Sequence, residues 1–462
     1  MPIKKFLASR FLSNYGSVLV LLLLCAYYSI VTWGVQHPIT PSAGRKIART
    51  IAREHGEDAS VWIVIRNTEK DKVFAAAIEK ELKSLGATVI GTLPADKPSD
   101  VRVALEQISA DDVRLNAIAT NEPGSAWGPL QEEKLRGNFP MFDSLQVYKP
   151  RSYMWPSFLT RENLVNVVNQ NADVFIIAIG MTLVIITAGI DLSVGSLVAL
   201  SGVLTAIAIE TIGGGANAAG FGLILCAMLG IGVCSLCGAF NGVMVTYFRI
   251  PAFVVTLALM EIARGLALKS AVAYKSATST GATAATPEAV SIHAETFEWL
   301  GNGATLGIPH PIILMLGMYM LAHVVMTRTS IGRYIYAVGG NREAARLSGV
   351  PVFAVLILVY TICGALAGLA GVLDASKFMG GRPNAGVLYE LRVIAAVVVG
   401  GTSLVGGEGR VFGTLIGALI IAVIQNGLNM AGVQSFDQRV IFGLLILGAV
   451  LLDQLKNRKS TT

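Results

Sequence analysis

Phe353-Ala-Val-Leu-Ile-Leu-Val-Tyr-Thr-Ile-Cys-Gly-Ala-Leu-Ala-Gly-Leu-Ala-Gly-Val-Leu-Asp374 carries no charged side chain before its last position. A helix of about 20 such residues rises about 30 Å, the depth of a bilayer's hydrocarbon core. The same pattern recurs on both sides. Apolar segments cover approximately 172–190, 194–212, 219–247, 252–272, 311–327, 392–405, 411–432 and 437–453. A further one, Tyr15 to Gly34, follows Lys4, Lys5 and Arg10. Its length and the lack of a small-residue cleavage site after it make it a retained anchor, not a signal peptide. The expected fold class is a polytopic α-helical membrane protein with about 10 transmembrane helices.

Composition points the same way. The chain is 53% hydrophobic and 14% charged with a mean hydropathy of +0.62, beyond the range of ordinary soluble domains. Its 49 glycines beside 7% aromatics suit helices packed closely in lipid through small residues. The formal charge of +6 is scattered between apolar segments, with no basic run that would address nucleic acid. Cys25, Cys226, Cys234, Cys237 and Cys363 all lie inside apolar segments. They imply no disulfide framework, and Cys234-x-x-Cys237 reads as small-residue packing.

Between the first anchor and the next apolar segment the composition changes. Residues 36–160 are rich in charge and proline and read as a small α/β domain. Val61–Ile65, Ala87–Leu93 and Leu115–Thr120 are expected strands; Asp71–Leu85, closed by Gly86, and Pro98–Ile108 are expected helices. Alternation of this kind argues for a parallel sheet. Asn67-Thr68 after the first strand resembles part of one lobe of a periplasmic sugar-binding protein. An α/β insert without a ligand site is the preferred reading. The division is therefore 1–35 tail and first helix, 36–160 extracytoplasmic insert, 161–455 membrane core and 456–462 tail.

Orientation follows from the positive-inside bias. With ten spans, the clusters at Lys4, at Arg328, Arg333, Arg342 and Arg346, and at Lys456-Asn-Arg-Lys459 all fall on the cytoplasmic side. Both termini are then cytoplasmic and the insert and the Ala273–His310 loop lie outside.

Gly332-Arg-Tyr-Ile-Tyr-Ala-Val-Gly-Gly-Asn-Arg-Glu-Ala-Ala-Arg-Leu-Ser-Gly349 separates two apolar segments. Asn341 can cap a short helix with Glu343 in its first turn, and Gly349-Val-Pro351 would stop it. On these grounds alone it reads as an ordinary loop. However, Gly332, Ala337, Gly339, Asn341, Ala344, Ala345, Ser348 and Gly349 resemble the coupling loop of ABC importer permeases of the ribose, xylose and galactose type. Three further blocks are similar to that family. They are Gly180-Met-Thr-Leu-Val-Ile-Ile-Thr-Ala-Gly-Ile-Asp-Leu-Ser-Val-Gly-Ser196; Asn241-Gly242 with Ile250-Pro-Ala-Phe253, Thr256-Leu257 and Arg264-Gly265; and Glu390 through Gly400-Gly-Thr-Ser-Leu404 to Asn426-Gly427. Ala188 stands where the family often has Gly or Ser, and Arg392 where it commonly has Asp.

The resemblance implies an inner-membrane permease subunit that imports a sugar or sugar-like solute by alternating access. Its partners would be a cytoplasmic ABC ATPase using ATP and Mg, an extracytoplasmic solute-binding protein, a second permease copy and membrane lipid. It also implies that the 332–349 loop, Glu343 included, docks the ATPase. No phosphate loop, Gly-x-Ser-x-Gly elbow or zinc-type spacing occurs in the chain, so the chain is expected to be no enzyme, to bind no cofactor or metal, and to draw energy from a partner.

Ionisable and polar groups at membrane depth are pathway or gating candidates because they are costly in lipid: Asp191, Ser193, Asn241, Glu261, Arg264, Glu390 and Asn426. Glu261 and Arg264 lie three apart and can pair; for this pair and for Asp191, which ends a span, structural pairing or capping is the preferred reading and direct contact with solute or gating the alternative. Gly400 and Gly401 permit a helix break beside a solute route, or simple close packing. A branched-chain amino-acid ABC permease and an ion-coupled secondary transporter are the rival readings.

Overall fold

The computed structural model describes residues 10–56, 58–142, 145–278 and 288–460. Lys4 and Lys5, and residues 279–287 of the Ala273–His310 loop, lie outside the described residues. The chain forms two compact units, Met1–Thr32 with Phe158–Thr462, and Trp33–Ser157.

After the first helix, α1 (Arg10–Val31), the second unit begins with β1 (Trp33–Gln36) and α2 (Pro41–His55). There follow β2 (Ser60–Arg66), α3 (Glu69–Ser84), β3 (Thr88–Ala95), α4 (Pro98–Ala110), β4 (Ala117–Thr120), β5 (Gln146–Tyr148) and β6 (Tyr153–Pro156). Thr40 and Thr68 cap α2 and α3, their hydroxyls accepting the N–H of Ala43 and Asp71, as small hydroxyl residues do at an N-cap. Four strands lie in the order β3-β2-β4-β5, all parallel. The alternation of β2 decides its packing. Val61, Ile63 and Ile65 face α2 and α3 through Ile51, Phe74 and Ile78, while Trp62 and Val64 face Leu105, Leu130 and Phe142. Where three strands were expected, the sheet has a fourth, β5, tied to α2 by the Tyr148 hydroxyl donating to Glu54 at 2.7 Å. Three residues long, it is too short for an alternation to show. β1 and β6 form a separate antiparallel ribbon, Trp33 opposite Pro156 and Gln36 opposite Tyr153.

The first unit continues through α5 (Arg161–Gln170) and α6 (Ala172–Ile186), then α7 (Val194–Thr211), α8 (Phe221–Thr246) and α9 (Ala252–Thr278). Next come α10 (His310–Arg328), α11 (Ser330–Gly340), α12 (Arg342–Leu347), α13 (Val352–Phe378), α14 (Tyr389–Val399), α15 (Val411–Met430) and α16 (Ser435–Ser460). Among the described residues five helices, α7, α8, α10, α13 and α15, are long and apolar enough to cross a membrane; α5 and α6, bent by 49°, make a sixth if they form one span. The other expected segments are helical as well. α9 carries Glu261, Arg264 and Lys269, and α14 has only 11 residues, a rise of about 16 Å. At the crossing of α8 and α13, a Cβ on Gly238 would fall on the Tyr360 carbonyl and one on Gly364 on that of Cys234. Backbones approach this closely only through glycine, which supplies van der Waals contact where lipid provides no hydrophobic drive.

Candidate functional site

α6 has a differently built site at each end. At its C-terminal end the chain turns through Thr187-Ala-Gly-Ile-Asp-Leu-Ser193 before α7 starts. Ala188 adopts φ 57°, a left-handed conformation that costs a non-glycine residue roughly 1–3 kcal/mol. Asp191 is fully buried. Its Oδ1 accepts the Ser193 N–H at 3.0 Å and the Ser193 hydroxyl at 2.6 Å. Asn241 Nδ2, from α8, donates to Ser193 Oγ at 3.2 Å, and the Cys363 thiol of α13 lies beside the carboxylate. Asp191, Ser193 and Asn241 thus come together as a buried clasp that starts α7, joining the turn to two other helices.

Two further segments close on the same turn. Arg342 Nη2 donates to the Thr187 carbonyl at 2.9 Å, and the Gly407 N–H donates to Ile186 O at 2.8 Å. A Cβ on Gly339 would fall on Ile186 O, and one on Gly406, at φ +95°, would lie 2.9 Å from Ala188 Cβ. Tyr336 Oη donates to Gly409 O at 2.8 Å. The segment 330–347 is two helices, α11 and α12. Asn341 Oδ1 caps α12 by accepting the N–H of Glu343 and of Ala344, each at 3.0 Å; Gly349 at φ +81° follows its end. Arg346 and Glu343 pair at the surface at 2.8 Å, and Leu347 is 83% exposed.

At the N-terminal end of α6 lies a cavity of about 440 Å³ whose walls are amides, charges and rings. Asp173 is buried and accepts the Tyr389 hydroxyl at 2.8 Å. Arg382 grips Asp374 through Nη2–Oδ1 at 2.6 Å and Nε–Oδ2 at 3.3 Å, and its guanidinium stacks 3.5 Å above the Phe378 ring. Asn426 and Asn163 exchange amide hydrogen bonds at 2.9 and 3.1 Å. Buried Asn169 Oδ1 and Gln425 Oε1 have no partner among the described residues. Amides and carboxylates around aromatic rings can take up the hydroxyls and C–H faces of a small polar solute.

Residues 163–450 match the family described as Branched-chain amino acid transport system / permease component. The chain belongs to this permease family. It is similar to the ribose import permease protein RbsC of Escherichia coli (strain K12), 44% identical over 305 residues, 66% of this chain and 89% of that protein. The RbsC of Bacillus subtilis (strain 168) is 42% identical over 306 residues, 66% and 89% of the two chains. The D-allose transport system permease protein AlsC of Escherichia coli (strain K12) is 36% identical over 301 residues, 64% and 85%. No solved structure matches. The family match begins after the unit Trp33–Ser157 ends.

Within the family region the remaining expected residues separate. Arg264 does not pair with Glu261, as its spacing led one to expect. Its Nη1 donates to the carbonyls of Pro383 at 2.7 Å and Ala385 at 2.8 Å, while Glu261 is exposed. Those carbonyls lie over a hundred residues away in sequence, so local spacing could not reveal them. Glu390 packs on Gly195, where a Cβ would meet its Oε2 at 2.7 Å. Gly400 packs against Gly413 on α15, and Gly401 takes φ +91°. Of the expected residues, Asn426 alone lines the cavity. Sequence reasoning missed Asp173, Asp374, Arg382 and Tyr389. The signal was there for two of them, since Asp173 and Asp374 are acids at the edges of apolar runs.

Proposed function

We propose that the chain is the membrane-spanning subunit of an ATP-driven importer that moves a sugar or sugar-like solute by alternating access. The observation carrying this reading is that the single helix α6 ends at a polar cavity on one side and, through Ile186 and Thr187, on Gly339 and Arg342 on the other. A shift of the 332–349 segment therefore has a direct mechanical route to the cavity. Ribose and allose, named for the relatives, support a solute drawn from sugars and their derivatives.

In this reading there are ten spans, with α1, α9, α14 and α16 among them, the termini and the 332–349 segment in the cytoplasm, and the insert 36–160 outside. The exposed Leu347 beside the Arg346–Glu343 pair offers an ATPase subunit an apolar contact with a polar rim. That ATPase uses ATP and Mg; a solute-binding protein delivers the solute, and a second permease copy completes the pathway. The α/β insert modulates the binding-protein encounter and forms no complete sugar site by itself.

Reconstitution tests the class. In proteoliposomes carrying this chain with a cognate ABC ATPase and solute-binding protein, uptake of a labelled sugar or sugar derivative should require ATP on the ATPase face and survive a protonophore. Uptake that persists without the ATPase and collapses with the ion gradient would make the chain a secondary transporter. Uptake of leucine but no sugar would favour the amino-acid solute that the family description names.

A further inference from the structure

The charges around the cavity do not cancel. Its walls hold Lys377, Arg382 and Arg392 against Asp173 and Asp374. Asp374 is taken up by the two bonds from Arg382. Asp173 accepts the N–H of Val174 as well as the Tyr389 hydroxyl. Lys377 Nζ rests on a neutral partner, the Asn169 carbonyl, at 2.8 Å. Arg392 has neither an ion pair nor a side-chain hydrogen bond among the described residues; its guanidinium lies 5.8 Å from the centre of the Tyr389 ring. A guanidinium presents several N–H donors in a planar fork that matches a carboxylate or phosphate.

We propose that the solute is an anionic carbohydrate, and that Arg392 is the residue that selects it. The cavity provides both halves of the recognition. Arg392 and Lys377, both on the cavity wall, meet the negative group, and the wall amides of Gln170 and Asn171 meet solute hydroxyls. The inference rests on the cavity being the solute site.

Protection of a cavity cysteine separates the two. In the full chain in nanodiscs, Asn429→Cys on the cavity wall is labelled with a water-soluble maleimide in the presence of D-ribose, D-ribonate or D-ribose 5-phosphate at matched ionic strength. Thermal stabilisation of the unsubstituted chain by the same three solutes is the second readout. One of the anions should protect and stabilise at a concentration at least tenfold below that of D-ribose, about 1.4 kcal/mol, and which anion does so distinguishes carboxylate from phosphate. Arg392→Lys should retain the preference and Arg392→Asp should abolish it. D-ribose acting as well as either anion, or a preference unchanged in Arg392→Asp, overturns the proposal while leaving the cavity as the site. If no solute protects or stabilises, the cavity reading falls and the proposal with it.

Discussion

Gly339 meets the carbonyl oxygen of Ile186 so closely that a Cβ at 339 would fall on that oxygen, whereas its neighbour Gly340 has nothing within 4 Å of the corresponding point. Two adjacent glycines thus have opposite tolerances. Gly339→Ala must push α11 away from the end of α6, at roughly 1–3 kcal/mol. Transport should drop about tenfold or more with membrane levels held near normal, and Gly340→Ala should transport like the parent. Equal uptake by the two variants at equal immunoblot intensity would remove the contact from the mechanism.

The Asp191 clasp makes a second prediction. Asp191→Asn keeps an oxygen for the Ser193 N–H and should unfold within about 1 kcal/mol of the parent. Asp191→Leu strips the acceptor from the buried Ser193 N–H and hydroxyl, and stranded donors cost about 1–3 kcal/mol each. Thermal unfolding in detergent should therefore rank parent and Asp191→Asn together, well above Asp191→Leu. If Asn and Leu destabilise alike, the carboxylate has a role beyond the clasp.

Asp374 and Arg382 form the cavity's bidentate pair, with side chains 4% and 38% exposed. Breaking a fully buried pair costs about 3–5 kcal/mol; the exposure of Arg382 screens this one and lowers the expectation to about 1–3 kcal/mol. Asp374→Asn and Arg382→Gln should each destabilise, and the double variant should lose less than their sum. A cycle that adds up within about 0.5 kcal/mol would mean the two side chains are uncoupled.

Topology is tested by labelling. Lys70 in the insert and Leu347 on α12 are both exposed. With an impermeant maleimide, Lys70→Cys should react in intact spheroplasts and Leu347→Cys only after lysis. The reverse order would invert the whole orientation.

Much of the architecture was legible because it depends on solvent, not on partners. Apolar runs such as 353–374 announce helices wherever water is excluded, and the short, β-branched apolar run Val61–Ile65 announces a buried strand. The Asn341 cap and the Gly349 stop were legible for a similar reason, since each is completed within a few residues. The limits were also physical. The three residues of β5 are too few for a period, and α11 lay hidden in a glycine-rich stretch that helix propensity disfavours; it is capped by Thr329 and buries Ile335 and Val338.

What only the tertiary structure decided is which distant groups meet. Composition and periodicity determined that this chain lives in lipid, that a separate α/β unit interrupts it, and that 332–349 is a capped polar segment between apolar helices. They did not determine that Gly339 would lie on Ile186, that Arg264 would bind the carbonyls of Pro383 and Ala385 instead of its neighbour Glu261, or that Asp173, Arg382 and Arg392 would share one cavity. Helix periodicity governs contacts three or four residues apart, within a turn. Partners a hundred residues away are chosen by how helices cross, and that depends on which glycines let backbones close up, a property of two surfaces together and not of either sequence segment alone.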